Sequence, residues 1–317
     1  MLMLWAIFPI FAQLFYTSGG YIQNYLADIA MPKNRAGALI IGRLPAFLVT
    51  MMVLFAVFGR IVFVLPLGNA LGLVLAGAIN IIGSIYYFKA LQLGDAADVH
   101  IFGQLSPLIS LALGVLILGE TITAMQGLGL LFIMVAIILI IFGDTSKKER
   151  QSPNIRVATL VIISAFFSIL SDVVFALFIK GFTADTTLLG QSLFFFEIGS
   201  ALMVIVLTIC FESWRRAFRT AFIRGKNHRR NTFALLCDNV AFGLAEVIYK
   251  YGLLVVPVIA MMTAVSKASS LFISIFITIF FGRIFPKFIH GKRVTRKVIA
   301  QYIIAAVFII TGIIVMN

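Results

Sequence analysis

Residues 99–142 read VHIFGQLSPLISLALGVLILGETITAMQGLGLLFIMVAIILIIF, and this stretch decides the fold of the chain. It holds two apolar runs, near 99–118 and 124–142, and Glu120 between them is its only Asp, Glu, Lys or Arg. A helix needs about 20 consecutive apolar residues to cross a bilayer. The stretch therefore predicts two successive membrane-spanning helices.

The same pattern continues along all 317 residues, of which 62% are hydrophobic and 12% charged. Soluble domains carry about 25% charged residues, so the composition excludes a soluble globule. The apolar runs are continuous rather than alternating, which excludes a transmembrane β-barrel. We predict an all-α integral membrane protein with ten transmembrane helices. Their expected positions are 3–24, 37–58, 67–88, 99–118, 124–142, 157–180, 188–211, 232–251, 256–281 and 298–316.

The distribution of Lys and Arg predicts the orientation in the membrane, because basic loops stay in the cytoplasm. The loops after the odd-numbered spans hold 20 basic residues, and the loops on the other side hold only Arg60, Lys180 and Lys250. Both termini are therefore expected outside. The first 20 residues lack the basic start of a signal peptide and are expected to remain as the first span. The 20 are Lys33, Arg35, Lys89, Lys147, Lys148, Arg150, Arg156, Arg215, Arg216, Arg219, Arg224, Lys226, Arg229, Arg230, Arg283, Lys287, Lys292, Arg293, Arg296 and Lys297.

The most basic loop, 212–231, interleaves aromatic and basic residues. It is expected to be a solvated topology anchor, although such a segment can also lie along an anionic membrane surface.

An internal repeat is visible when residues 87–123 are compared with 249–282. In both, an aromatic helix end is followed by a short loop and a span with small hydroxyl residues, and Gln104 aligns with Lys267. After an insertion near 283–291, the last spans run in parallel. The chain is then five helices twice over, and since five is odd the second copy crosses the membrane in the opposite sense. Inverted repeats of this kind are typical of transporters.

The segment from Tyr87 to Ile140 resembles the EamA-type repeat of the drug/metabolite transporter superfamily. The resemblance implies ten helices, a central cavity between two five-helix halves, and passage of small metabolites. The halves are expected at 1–146 and 157–317, with a basic linker at 147–156. The family orientation has both termini in the cytoplasm, opposite to the one that the charges predict. The matching residues are Ala90, Leu91, Gly94, Ser106, Pro107, Leu108, Gly119, Glu120, Thr123, Gln126 and Gly129.

Charged residues inside predicted spans are the strongest indication of a site. Each costs about 2.5–3.5 kcal/mol at the bilayer centre, so it is expected to pair or to face a cavity. Five stand out: Asp172, Glu197, Asp238, Glu246 and Lys267. For Glu197 a role in helix contact remains open, and for Asp238 so does snorkelling to the interface.

Polar residues at helical spacing predict which faces turn inward. In span 6, Ser164, Ser168, Ser171 and Asp172 share one stripe, although hydroxyl residues also serve as helix contacts. In span 4, Pro107 is expected to bend the helix and to free a carbonyl near Gly103. The candidate cavity residues are Asp172, Lys267, Glu246, Asp238, Gln104, Asn80, Ser168, Ser270, Tyr16 and Tyr87.

The predicted function is secondary active transport of a small polar or amphipathic metabolite, such as an amino acid or amine, across a cell membrane by alternating access. Asp172 and Glu246 are the candidates for proton coupling. Lys267 is expected to pair with Asp172, Glu246 or Asp238 at rest and to accept a substrate carboxylate. The alternatives are a flippase for lipids or lipid-linked sugars and, from another class, a membrane scaffold that transports nothing.

No phosphate loop, HExxH or paired-cysteine metal site, or GxSxG elbow occurs in the sequence, so no enzyme activity, metal or cofactor is predicted. The expected partners are a small-molecule substrate, membrane lipids and a coupling proton, with no nucleic acid. The sequence leaves a monomer and a homodimer open.

Overall fold

The chain folds into α-helices, and the residues that the structure describes contain no β-strand. The structure is a computed structural model. The described residues are 4–26, 35–93, 99, 102–143, 155–179, 186–224, 227–256, 258–281 and 296–316. The predicted linker at 147–156 and the insertion near 283–291 lie largely or wholly outside them.

The helices lie where the apolar runs predicted them, with ends that differ by a few residues. Five helical segments, counted over the described residues, are long and apolar enough to cross a membrane: Ala36–Phe63, which is interrupted at Arg43, and Leu67–Leu93, Ile155–Ile179, Thr186–Cys210 and His228–Val255. The helices are α1 Leu4–Tyr25, α2 Arg35–Gly42, α3 Leu44–Phe58, α4 Leu67–Leu93, α5 Ser106–Leu118, α6 Ala124–Gly143, α7 Ile155–Ile179, α8 Thr186–Cys210, α9 Glu212–Phe218, α10 His228–Val255, α11 Ile259–Phe281 and α12 Arg296–Met316.

Two of the predicted spans contain breaks. Span 2 is divided between α2 and α3, which meet at a turn residue, Arg43. In span 4, α5 begins only at Ser106, directly before Pro107. The Ser106 hydroxyl donates a 2.6 Å hydrogen bond to the Gly103 carbonyl. The carbonyl near the proline, which the sequence predicted to be free, is therefore satisfied by its own segment.

Hydroxyl groups and glycines hold α4 against α7 and α8. Ser164 and Ser171 of α7 each donate a 2.8 Å hydrogen bond to a backbone carbonyl of α4, that of Gly83 and of Ala76. At Gly199 of α8 the backbones approach so closely that a Cβ atom would overlap a carbonyl of α4. This contact between small residues is the type that brings helices together in membranes. For these serines the helix-contact interpretation is correct.

The remaining helices pair across the chain. Helix α1 packs against α10 and α11, α4 against α7 and α8, α5 against α7, and α6 against α12. Glu120, which follows the left-handed Gly119 at the end of α5, accepts hydrogen bonds of 3.2 Å from the Ile259 backbone N–H at the start of α11. A carboxylate is favourable at a helix N-terminus. Glu120 therefore ties the α5–α6 connection to α11.

The basic segment 212–231 is helical through much of its length. Helix α9 continues into a π-helical turn at Arg219–Arg224 and packs against α2. Arg216 forms a 2.7 Å ion pair with Glu212 on the exposed face. This hydrogen bond holds the pKa of the Glu212 carboxyl below its ordinary value. The predicted loop is thus a folded, basic helix.

Candidate functional site

A buried cluster of charged side chains forms where α7 meets α10. Lys250 Nζ donates a 2.6 Å hydrogen bond to Asp172 Oδ1 and lies 3.6 Å from Glu246 Oε1. The Tyr16 hydroxyl donates a 2.5 Å hydrogen bond to Glu246 Oε2. The Lys250 side chain is 1% exposed and that of Asp172 is 16% exposed. An enclosed ammonium thus lies between two carboxylates, of which Asp172 is the more accessible. We call these four residues the central cluster.

Aromatic rings complete the surroundings of the ammonium. Lys250 Nζ lies 4.4 Å from the ring centroid of Phe196 and 4.7 Å from that of Phe175. Tyr16 contacts the ring of Phe242 edge-on at a centroid distance of 5.5 Å. Cation–π attraction is strongest where the cation is desolvated. The rings therefore offset part of the cost of burying Lys250 while the carboxylates provide the counter-charge.

Helical spacing explains why these groups meet. Phe242, Glu246 and Lys250 follow one another at intervals of four residues, so they line one face of α10. That face lies against Tyr16 of α1 and Asp172 of α7. The structure thus brings together three of the predicted cavity residues, Asp172, Glu246 and Tyr16.

Lys267 lies near the central cluster but outside its ion pairs. It is half-buried in α11 and close enough to Asp172 to interact with it electrostatically. Within the described part of the chain, its ammonium makes no ion pair or hydrogen bond. The predicted resting ion pair of Lys267 is therefore wrong, because Lys250, one turn beyond Glu246 on α10, already occupies the carboxylates. The ammonium of Lys267 remains as a second positive charge beside the cluster.

Glu197 of α8 is 3% exposed, and its Oε2 atom has no hydrogen-bond partner among the described residues. Lys250 and Glu246 lie within electrostatic range of it. Glu197 therefore borders the central cluster.

Asp238 belongs to a different part of α10. It is 1% exposed, which excludes snorkelling to the interface, and its Oδ1 accepts a 2.8 Å hydrogen bond from Gln23 of α1. It precedes Glu246 by eight residues, about 12 Å along the helix. Arg43 lies within electrostatic range of both Asp238 and Tyr87. Two predicted cavity residues, Asp238 and Tyr87, thus surround a second charged region.

The other predicted residues make no hydrogen bond, among the described residues, to the side chains of either region. Gln104 is 3% exposed, and its Oε1 has no partner among the described residues. The Asn80 side chain makes no hydrogen bond to the described part of the chain. Ser168 lies against Gly83 at the α4–α7 contact, and Ser270 donates a hydrogen bond to the Lys267 carbonyl of its own helix. The two serines therefore have structural contacts.

Two charged residues were not predicted as site residues. Lys250 was assigned to a loop, but α10 continues five residues beyond it to Val255. Its spacing of four from Glu246 is the signal that could have identified it. Arg43 lies within predicted span 2, and its charge alone marks it as unusual there.

Comparison with known proteins agrees with this architecture. Residues 2–142 match the EamA-like transporter family, which confirms the predicted resemblance. A solved crystal structure aligns with 98% of this chain and 95% of its own chain, with a TM-score of 0.67 and 14% sequence identity, so the two share a fold. No curated protein matches the chain.

Proposed function

Because residues 2–142 match those of EamA-like membrane transporters, we propose that this chain is a secondary transporter of a small polar or amphipathic metabolite, with the central cluster as its substrate and coupling site. One observation carries the proposal: two carboxylates and an ammonium are buried together, with the ammonium of Lys267 beside them. Buried charges in membranes typically mark the paths of substrates and ions.

The architecture that we propose has two inverted five-helix repeats, 1–146 and 157–317, around a central cavity. It is supported by the helix packing, which repeats between the two halves. The packing of α1 on α10 corresponds to that of α7 on α4, and the packing of α1 on α11 corresponds to that of α7 on α5. The central cluster joins Tyr16 of the first half to Asp172, Glu246 and Lys250 of the second. Rocking of one half against the other would therefore act directly on it.

In the proposed mechanism Lys250 changes its partner. At rest its ammonium lies 2.6 Å from Asp172 and 3.6 Å from Glu246, so it is bound to Asp172. A proton delivered to the more accessible Asp172 removes that carboxylate charge, so Lys250 moves towards Glu246. Lys267 then binds the carboxylate or other anionic group of the substrate. Return of the proton to water on the other side restores the first pairing.

Substrate and mechanism can be tested in two steps. A thermal-stabilisation screen of detergent-purified protein with amino acids, amines, nucleosides and sugars identifies the ligand, because ligands that bind the folded state stabilise it. In proteoliposomes, Asp172→Asn should then abolish proton-driven accumulation of that ligand but leave its exchange intact. Glu212→Gln, which removes an exposed carboxylate outside the spans, is the matched control. Full uphill transport by Asp172→Asn would remove Asp172 from the mechanism.

We also propose that the chain lies in a cell membrane with its basic loops in the cytoplasm and both termini outside, as the 20 to 3 distribution of Lys and Arg predicts. The test uses single thiols in a background without Cys210 and Cys237. An impermeant reagent applied to intact cells should label a cysteine added after Asn317 and spare one in the 212–231 segment. The reverse labelling would support the family orientation.

A further inference from the structure

A second charged region lies at the junction of α2 and α3. Arg43 is the single residue between Gly42, which ends α2, and Leu44, which begins α3. Asn239 of α10 donates a 2.9 Å hydrogen bond to the Gly42 carbonyl, so the break is held by the neighbouring helix. The position of Arg43 is therefore fixed by tertiary contacts and is not a frayed helix end.

The guanidinium of Arg43 is enclosed by aromatic rings. It lies 3.9 Å from the ring centroid of Phe242 and 5.1 Å from that of Phe88, and the residue is 5% exposed. Its Nε atom is buried without a hydrogen-bond partner. Within the described residues, no acceptor bonds the guanidinium and no carboxylate forms an ion pair with it. The buried Nε donor of Arg43 is thus unpartnered.

Asp238 does not supply the missing partner. Its carboxylate is within electrostatic range of Arg43, but Gln23 of α1 holds its Oδ1 by a hydrogen bond. Gly19 approaches the same oxygen so closely that an added Cβ would lie 3.0 Å from it. Asp238 is therefore held on the α1 side, where it balances the charge of Arg43 over a distance without using its donors.

From this geometry we propose that Arg43 binds the carboxylate group of a small organic anion. A guanidinium whose faces contact rings offers its edge, and the parallel N–H groups of that edge match the two oxygens of a carboxylate. Phe242, which is half-buried, would contact an apolar part of the same ligand. The negative charge of Asp238 opposes binding of an anion at Arg43 and lowers its affinity. Any part that this site has in transport rests on the function proposed above, but binding itself does not.

The site borders the central cluster, because the ring of Phe242 contacts both Arg43 and Tyr16. Arg43 neighbours Asp238, which lies about 12 Å along α10 from Glu246. Asp238 is near the end of α10 that follows the basic segment 212–231, whereas Lys250 is near the other end.

The test measures binding of benzoate to the full-length, detergent-purified protein by isothermal titration calorimetry. The ionic strength is kept constant by letting benzoate replace chloride. We expect saturable binding to the wild type and unchanged binding to Arg60→Gln, a control that removes an exposed arginine. Arg43→Lys keeps the charge but loses the planar pair of donors. It should bind benzoate at least about tenfold more weakly, as expected for loss of a charge-assisted hydrogen bond.

Two further variants make the result decisive. Asp238→Asn removes the opposing negative charge and should bind benzoate more tightly than the wild type. Arg43→Gln combined with Asp238→Asn removes both charges, so it leaves no unbalanced carboxylate to unfold the protein, and it should not bind.

Three results would overturn the proposal: no saturable binding to the wild type, equal binding by the wild type and both Arg43 variants, or loss of binding in Lys267→Gln, which would assign benzoate to the central region. None of these measurements requires transport, so a transport assay that fails leaves this test intact.

Discussion

Replacement of Lys250 by methionine is the most direct perturbation of the central cluster. Methionine fills a similar volume without a charge, so the variant leaves Asp172 and Glu246 buried beside each other with no ammonium between them. Lys250 is 1% exposed and 2.6 Å from Asp172. Removing one partner of a buried ion pair costs about 3–5 kcal/mol. We expect Lys250→Met to lower the free energy of unfolding by that amount.

A double-mutant cycle separates the ion pair from the rest of the environment. Asp172→Asn combined with Lys250→Met removes both charges of the shorter pair, and we expect it to restore much of the lost stability. The coupling free energy should be at least about 1 kcal/mol. Lys267→Met is the matched control, because this half-buried lysine makes no ion pair in the described part of the chain. We expect its effect to stay below about 1 kcal/mol.

The assay is unfolding of the detergent-purified variants, followed by circular dichroism of the helices, with the same detergent and pH throughout. The reasoning would be refuted if Lys267→Met destabilised the protein as much as Lys250→Met does. It would also be refuted if the double variant were no more stable than Lys250→Met alone, because the two charges would then be energetically independent.

Three further predictions concern packing, the site and pH. Gly199→Ala should lower the free energy of unfolding by about 1–3 kcal/mol, because its Cβ would overlap the α4 backbone. Gly68→Ala, which has open space around it, should not lower it, and melting curves of the two variants test the difference. Tyr16→Phe removes the 2.5 Å hydrogen bond to Glu246 of α10. The loss should affect the transport rate more than the stability of the fold, as paired measurements of flux and melting would show. The bond to Arg216 lowers the pKa of Glu212 and stabilises α9 at neutral pH, and this contribution should disappear as pH falls through that pKa. In Arg216→Gln, the pKa of Glu212 measured by carboxyl NMR titration should shift towards its ordinary value.

The helices were predictable because the bilayer imposes both their length and their composition. The run predicted at 67–88 is observed as Leu67–Leu93, and the one at 157–180 as Ile155–Ile179. Lys250 lies at the end of predicted span 8, 232–251, and was counted with the loop that follows, whereas α10 continues to Val255. The partner that makes its burial favourable, Asp172, comes from another helix and is 78 residues away. No local pattern contains that information.

Of the charged residues in the candidate site, Asp172, Glu246 and Lys267 were predicted, and Lys250 was not. Asp172 and Glu246 were identified because carboxylates in apolar spans are costly, whichever partner they have. The repeat comparison directed attention to Lys267, which aligns with Gln104. Which lysine meets the carboxylates depends on how α10 and α11 are rotated about their axes. That rotation is decided by packing against α1 and α7, and one sequence does not specify it.

The two charged regions share α10, and this has a mechanical consequence. Asp238 and Lys250 are carried by one continuous helix of 28 residues, so their separation is fixed by the helical rise. A rigid rod that tilts about its middle moves its ends in opposite directions. When α10 tilts, a displacement that draws Lys250 away from Asp172 therefore moves Asp238 in the opposite direction, towards or away from Arg43.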